Sequence, residues 1–315
     1  MADDQKPATM NKAQAGSGIY KSAAGEREVQ QRYRDLLDQW PVPSELLRVP
    51  TREGKTFVVA CGHQDAPPVL AMQGSGANSA MWLPQIEAMA GHLRLYAVDV
   101  IGEPGLSAPS RPPFDSDAYA LWLDDVMAGL DLTRVAMMGV SSGGWLALDY
   151  AMRRPEQVAR LALLSPGGVG RRKTGMLFKA SPLLSLGHWG RRKALTVALG
   201  SESRATARGN GSSRDLARDT AMFDLVLLIF KHFKPRMQAQ PIFADAALKG
   251  LAMPVLAIVG GRDAMLDSHE TKRRLEALVP HATVHLLPEV GHLLPDQSAT
   301  LLDFLGNPHD SGSHG

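Results

Sequence analysis

The stretch Val135-Ala136-Met137-Met138-Gly139-Val140-Ser141-Ser142-Gly143-Gly144-Trp145-Leu146-Ala147-Leu148-Asp149-Tyr150 decides the fold. Its first half is a short, continuous apolar run, which predicts a strand over 134–140 buried on both faces. Its second half predicts a helix over 144–153. Between them Gly139-Val140-Ser141-Ser142-Gly143 has the G-x-S-x-G pattern. A serine in a strained strand-to-helix turn projects its hydroxyl above the sheet, and small neighbours allow the backbone to approach. The helix N-terminus beneath it favours negative charge. A pentapeptide of this kind also occurs as a plain Gly/Ser turn, so its weight comes from the strand before it and the helix after it.

Working outward, strand and helix alternate on both sides. Strands are expected at 46–50, 56–61, 68–72, 93–98 and 158–164, with helices over 26–40, 79–90 and 116–130. The alternation breaks after Ser165-Pro166-Gly167-Gly168. It resumes with the strand 255–259, a helix over 269–278, the strand 283–287 and a last helix near 298–305. This predicts an α/β fold, a mostly parallel central sheet flanked by helices, with an inserted helical cap. The expected division is a disordered segment 1–24, a first core part 25–168, a cap 169–244, a second core part 245–306 and a flexible tail 307–315.

Composition sets the outer limits. The chain has 315 residues, 44% of them hydrophobic and 21% charged, enough for a large core. Its single cysteine, Cys61, rules out an internal disulfide framework and reads as a buried thiol on a strand. No apolar run approaches the ~20 residues of a membrane span. The opening residues Met1-Ala2-Asp3-Asp4-Gln5-Lys6 do not read as a secretory signal, so a cytoplasmic protein is expected. The net charge of +2 hides an asymmetry: residues 171–240 hold 14 Lys/Arg against 4 Asp/Glu. The triplets Arg171-Arg172-Lys173 and Arg191-Arg192-Lys193 read as solvated cap surface and not as a nucleic-acid site, because no recognition module accompanies them.

A serine hydroxyl needs a base, and the base needs a carboxylate to hold its tautomer. His292, in Gly291-His292-Leu293, lies just past the strand 283–287. Asp263, in Gly260-Gly261-Arg262-Asp263, lies just past the strand 255–259, with Asp267 in reserve. C-terminal ends of parallel strands share one rim, so Ser141, Asp263 and His292 are expected to meet there. Their chain order, Ser then Asp then His, separates this arrangement from two unrelated serine-hydrolase folds. The oxyanion formed on attack needs N–H donors. Ser142 is the expected first. The loop Gln73-Gly74-Ser75-Gly76 supplies the second from Ser75, with Gly76 as alternative. Competing motifs are weaker. Gly102-Glu103-Pro104-Gly105 lacks dinucleotide spacing. His281 and His285 enter a strand, where four residues span ~13 Å, too far for one metal ion.

With these residues in place, the chain resembles the serine α/β-hydrolase superfamily over roughly residues 40–305. Within it the chain is similar to bacterial carboxylesterases of the naproxen-ester-hydrolysing kind. The resembling stretches are Gln39-Trp40-Pro41-Val42-Pro43, Thr51-Arg52-Glu53-Gly54-Lys55-Thr56, Tyr96-Ala97-Val98-Asp99-Val100-Ile101-Gly102 and the elbow itself. The resemblance implies a catalytic triad of Ser141, Asp263 and His292, an oxyanion hole of Ser75 and Ser142, an acyl-enzyme and no cofactor. It also implies a cap over residues 169–244. Two departures stand out. Gln73-Gly74 replaces the common His-Gly, and Glu103-Pro104-Gly105-Leu106-Ser107 replaces a loop of smaller residues.

The same three residues serve C–C bond hydrolases, lactonases and cofactor-free perhydrolases, and the fold also carries non-catalytic binding proteins. The expected partner is a small hydrophobic ester. Trp82, Trp145, Phe230 and Phe233 are candidate pocket residues, alongside cap-region Met176, Leu177, Leu183, Leu184 and Leu186. Oligomeric state is not legible.

Overall fold

The computed structural model describes residues 17–173 and 213–306, the stretch 213–219 by its backbone alone. Among the described residues eight strands form one sheet, in the order β1-β2-β4-β3-β5-β6-β7-β8. They are β1 (Ser44–Thr51), β2 (Gly54–Cys61), β3 (Pro68–Met72), β4 (Arg94–Val98), β5 (Val135–Val140), β6 (Val158–Leu164), β7 (Val255–Gly260) and β8 (Thr283–Leu287). The six from β3 onward run parallel; β1 and β2 are antiparallel to each other, and β2 is antiparallel to β4. The sheet is therefore mixed at one edge and parallel through its centre.

Side chains alternate between the two faces, as a strand's period of two requires. Val69, Ala71, Ala136, Met138, Ala162 and Leu164 join the core under α1 (Ala23–Leu37), α2 (Leu83–Ala90) and the C-terminal α8 (Ser298–Gly306). Leu70, Met72, Met137, Leu161 and Leu163 join the core under α3 (Ala118–Gly129), α4 (Ser142–Arg153) and α7 (Ser268–Leu278). The expected helix over 79–90 divides. Residues Ser79–Trp82 form a 3₁₀ turn capped by Asn78, and α2 begins beyond it with Pro84 in its first turn.

Two of the cap's three described parts are short connections, and the third is a helix, α5 (Ser213–His232). Residues 174–212 lie outside the described residues, and with them Met176, Leu177, Leu183, Leu184, Leu186 and the triplet 191–193. The same holds for 1–16 and the tail 307–315. A short helix α6 (Asp245–Lys249) follows the cap.

The segment 17–24, expected to be disordered, is ordered in the structure. Ile19 and Tyr20 are buried, Tyr20 bridges to Phe233, and Ser22 caps α1 through the Gly25 N–H. The reason is α5. α1 packs along it, with Arg32 paired to Asp224 and His232 to Glu28, so the polar opening residues gain a partner that their own composition does not reveal.

One buried carboxylate ties the upper loops together. Asp99, at the end of β4, accepts from Tyr33 Oη on α1 (2.9 Å), Ser79 N and Oγ (2.8 Å each) and Leu106 N (2.8 Å). Burial pushes its pKa up, and these donors act against that shift. Removing the phenol donor leaves a buried acceptor short of one bond. Tyr33→Phe should lower the unfolding free energy by about 1–3 kcal/mol, read as a shifted denaturant midpoint at constant m-value. A midpoint equal to that of the parent chain would show that the Tyr33 bond does not support the fold.

Candidate active site

In the sheet order the chain moves from β3 outward to β4, then returns across β3 to β5. β3 and β5 are thus neighbours at a topological switch point, with Met72 opposite Gly139. Open parallel sheets place ligands in the crevice at such a point. The loops leaving β3 and β5 are the Gln73–Asn78 loop and the serine turn.

Ser141 has φ 53° and ψ −109°, a conformation that L-residues rarely adopt. Its backbone is held from both sides. Its N–H donates to Leu164 O (2.9 Å), and its carbonyl accepts from Trp145 N (3.1 Å) and Gly167 N (2.9 Å). The turn closes only over small residues. A Cβ on Gly143 would lie 2.3 Å from Met72 O, and one on Gly139 would lie 2.4 Å from the Gly143 backbone. The glycines of the motif are therefore required by backbone contact, both within the elbow and against the end of β3.

Backbone bonds continue along the rim: Ser165 N to Ile258 O (2.8 Å), Gly261 N to Leu287 O (2.8 Å) and Arg262 N to Val290 O (2.9 Å). A Cβ on Gly260 would meet Gly291 O at 2.0 Å, so the loops carrying Asp263 and His292 lie directly against each other. His292 Nδ1 is 2.7 Å from Asp263 Oδ2, both side chains almost wholly buried. The other carboxylate oxygen, Oδ1, accepts from Met265 N (2.7 Å) and Leu266 N (3.0 Å). With one oxygen held by two backbone donors, the second is fixed towards the imidazole. Nδ1–H is the proton that satisfies this bond, which leaves Nε2 as the ring's acceptor. The reserve acid Asp267 has a different place: it is the N-cap of α7, accepting from Glu270 N (3.0 Å), and that bond lowers its pKa.

Four further groups at this rim escaped the sequence reading. Ser165, with φ 44°, donates from Oγ to His292 O (3.0 Å) and so joins the β6 end to the histidine loop. Lys173 donates from Nζ to Asp263 O (2.8 Å). Gln240 donates from Nε2 to Ser142 Oγ (3.0 Å). Glu103 accepts from Gly76 N (2.7 Å) and lies near Ser75 Oγ (3.3 Å). Ser165 had a local signal, the Ser-Pro-Gly-Gly break after a strand, and Glu103 lies in a loop that departs from the family pattern. Lys173 and Gln240 act from distant segments.

Ser75 is exposed and Ser142 is half-buried in the first turn of α4. The alternative donor, Gly76 N–H, is engaged by Glu103. Gln73 is buried; with its amide oriented by its partners, the nitrogen faces Val98 O (2.5 Å) and the oxygen faces Val100 N (2.8 Å). It pins the Gln73–Asn78 loop to the end of β4, and this is the effect of the Gln73 departure. The four aromatic candidates separate. Trp82 is buried in the core under α2. Trp145 stacks on Phe243 (5.3 Å between centroids) and donates from Nε1 to Pro241 O (2.9 Å). Phe233 packs edge-on against Tyr20, and Phe230 is exposed. Arg171 is exposed and paired with Glu270 (3.2 Å), which offsets part of the positive charge at the start of the cap. His281 Nε2 lies 3.0 Å from Met253 O and His285 is exposed, so these two rings serve different surroundings.

A family model described as the alpha/beta hydrolase fold matches residues 67–299. The chain belongs to that family. It is a member of the serine α/β-hydrolase superfamily related to bacterial carboxylesterases. Carboxylesterase YbfK of Bacillus subtilis is 32% identical over 270 residues, 84% of this chain and 87% of the relative. The crystal structure of the same organism's carboxylesterase CesB (YbfK) superposes with a TM-score of 0.74 at 29% identity, covering 90% of this chain and 98% of that one. The naproxen esterase of Bacillus subtilis (carboxylesterase NP) has a TM-score of 0.72 at 27% identity, covering 87% and 94%. Like these relatives, the chain is of the hydrolase type. Among its described residues no helix is long and apolar enough to cross a membrane.

The tight elbow predicts a simple stability result. Gly143→Ala drives a methyl group into the Met72 carbonyl and should lower the unfolding free energy by about 1–3 kcal/mol. Denaturant unfolding checks it, and an unshifted midpoint would contradict the close approach of elbow and β3.

Proposed function

We propose that the chain is a carboxylesterase that works through an acyl-enzyme, with Ser141 as nucleophile, His292 as base and Asp263 as the orienting acid. The observation that carries the proposal is the buried 2.7 Å pair of His292 and Asp263, on the rim that also presents the Ser141 turn. Two relatives that span 84% and 87% of the chain are carboxylesterases, beside a putative carbamate hydrolase that spans 76%, which favours an ester over a C–C bond, a lactone or a peracid as the bond handled. It also favours catalysis over a purely binding role.

The chemistry follows from the groups present. Ser141 Oγ attacks the ester carbonyl carbon as His292 Nε2 takes its proton, and Asp263 stabilises the imidazolium that forms. The oxygen that gains charge is met by the Ser142 and Ser75 N–H groups, with the N-terminus of α4 behind them. Collapse expels the alcohol, which takes the proton from His292. Water then repeats the sequence and releases the acid. Each step balances within these residues, ester and water.

The preferred substrate in this proposal is a hydrophobic ester of medium size. Trp145 and Phe233 spend their surface on packing, Trp82 is in the core and Phe230 faces solvent. The substrate preference therefore rests on the relatives and on the cap's apolar sequence more than on these four rings. A panel of p-nitrophenyl esters of graded acyl length reads it directly. Butyrate and hexanoate should exceed acetate in kcat/KM; the reverse order would sink the hydrophobic preference.

For the triad, a fluorophosphonate should label Ser141, located by peptide mass spectrometry. Ser141→Ala should lower kcat by roughly 10⁴-fold or more, and adding His292→Ala should cost little further because the residues act as a unit. Label on Ser142, or a His292→Gln enzyme of full activity, would defeat the assignment.

A further inference from the structure

Glu103 is a buried carboxylate for which the reaction just described has no use. It stands in Gly102-Glu103-Pro104-Gly105, the loop that leaves β4, and its side chain crosses to the loop that leaves β3. Its Oε2 accepts from Gly76 N (2.7 Å), and its two oxygens lie 3.3 and 3.4 Å from Ser75 Oγ. The same two loops meet again where Asn78 Nδ2 donates to Pro104 O (3.0 Å). Behind Glu103 the loop is fixed by Arg111, whose Nε donates to Gly102 O (3.0 Å). The Ser75 N–H belongs to the Gly74–Ser75 peptide; holding the Ser75 hydroxyl and the Gly76 N–H fixes Ser75 by its side chain and by the peptide that follows it, and so fixes the direction of its own N–H.

We propose that Glu103 is a positioning residue for the oxyanion hole: its carboxylate holds the Ser75 side chain and the Gly76 N–H so that the Ser75 N–H, on the preceding peptide, faces the reacting carbonyl oxygen. The proposal rests on the acyl-transfer reading and assigns a role to a loop that departs from the family pattern.

The charge state of Glu103 governs how firmly it does this. The ionised carboxylate offers acceptors to both donors, in charge-assisted bonds. Once protonated, it turns one oxygen into a donor, and the pair of contacts weakens. Burial raises its pKa to about 7, against the bonds from Gly76 and Ser75 and the nearby guanidinium groups of Arg111 and Arg236. Tyr20 and Tyr119 also feel its charge, and their own pKa values rise chiefly through burial. Because the folded value lies above that of an unfolded glutamate, the native state holds this proton more tightly. The stability it contributes is complete at low pH and is lost as pH rises through about 7.

Glu103→Gln keeps an acceptor for Gly76 and removes the charge, whereas Glu103→Ala removes the contact. With p-nitrophenyl butyrate at pH 8, Glu103→Ala should lose about 100-fold in kcat with KM little changed, the scale of a lost oxyanion donor. Glu103→Gln should recover most of that loss. In the parent enzyme the acid side of the kcat profile should carry an inflection near pH 7 from Glu103. In Glu103→Gln that inflection should be absent, and its melting temperature should gain on the parent as pH rises from 5 to 8. Glu103→Ala within threefold of the parent, or Ala and Gln equally impaired with the inflection unchanged, would overturn the proposal.

A readout independent of turnover is the Gly76 amide in ¹⁵N spectra. It should move with pH across about 7 in the parent and stay still in Glu103→Gln. A Gly76 amide that does not titrate would overturn the contact itself. A titrating Gly76 in an enzyme inactive on every ester would support the contact and count against the acyl-transfer reading.

Discussion

The backbone of Ser141 is the constraint on which the rest of the structure depends. A strand that becomes a helix within one residue must pass through a conformation near φ 53°, which costs of order 1–3 kcal/mol for a non-glycine residue. The cost is offset only where neighbours over-determine the turn. Three backbone hydrogen bonds hold Ser141, and Gly139 and Gly143 let β3, β5 and α4 come within contact distance. The same turn sets Ser141 directly before the first N–H groups of α4. The requirement then propagates, because Gly143 rests on the Met72 and Gln73 carbonyls and the Gln73–Asn78 loop must start at that place.

The rim beyond the elbow follows from the parallel sheet. Strands β5 to β8 end together, and each end donates a backbone bond to the next, so the loops carrying Ser141, Ser165, Asp263 and His292 are consecutive links in one ladder. This explains why residues 122 positions apart in sequence, Ser141 and Asp263, lie on one rim. It also explains the weight of Ser165, whose backbone joins β7 while its hydroxyl holds the main chain of His292.

Much of this was legible in the sequence, for definite reasons. The apolar run 68–72 gave a strand with the observed bounds, because a strand covered on both faces has no polar position to blur its ends, and the expected bounds 158–164 and 283–287 also match the observed strands. Asp263 and His292 stand out in the sequence because a strand end followed by glycine is a local pattern, and the structure places them in contact. Residues 17–24 were misread because their partner, α5, is some two hundred residues away. Glu103, Gln240 and Lys173 share that difficulty. Each is an ordinary polar residue in its own segment, and its importance arises from a loop that meets it only in three dimensions. The sequence did register that the Gln73 and Glu103 loops were unusual, and both residues brace the Gln73–Asn78 loop from the β4 side.

The cap is joined to this machinery at both of its described ends. On entry, Lys173 holds the Asp263 carbonyl and Arg172 bridges to Leu266, beside the backbone donors that orient the carboxylate. On exit, Gln240 reaches Ser142, Pro241 accepts from Trp145 and Phe243 N donates to Gly168 O (2.8 Å). Between them α5 leans on α1, whose Tyr33 reaches Asp99 beneath the loops that hold Glu103. A chain that inserted its cap on flexible linkers would let the Asp263 loop and the Ser141 turn relax independently. Here the linkers are hydrogen-bonded to the Asp263 loop and to the Ser142 end of that turn. Anything that displaces the cap's exit therefore acts first on Ser142, and anything that displaces its entry acts first on the loop of Asp263.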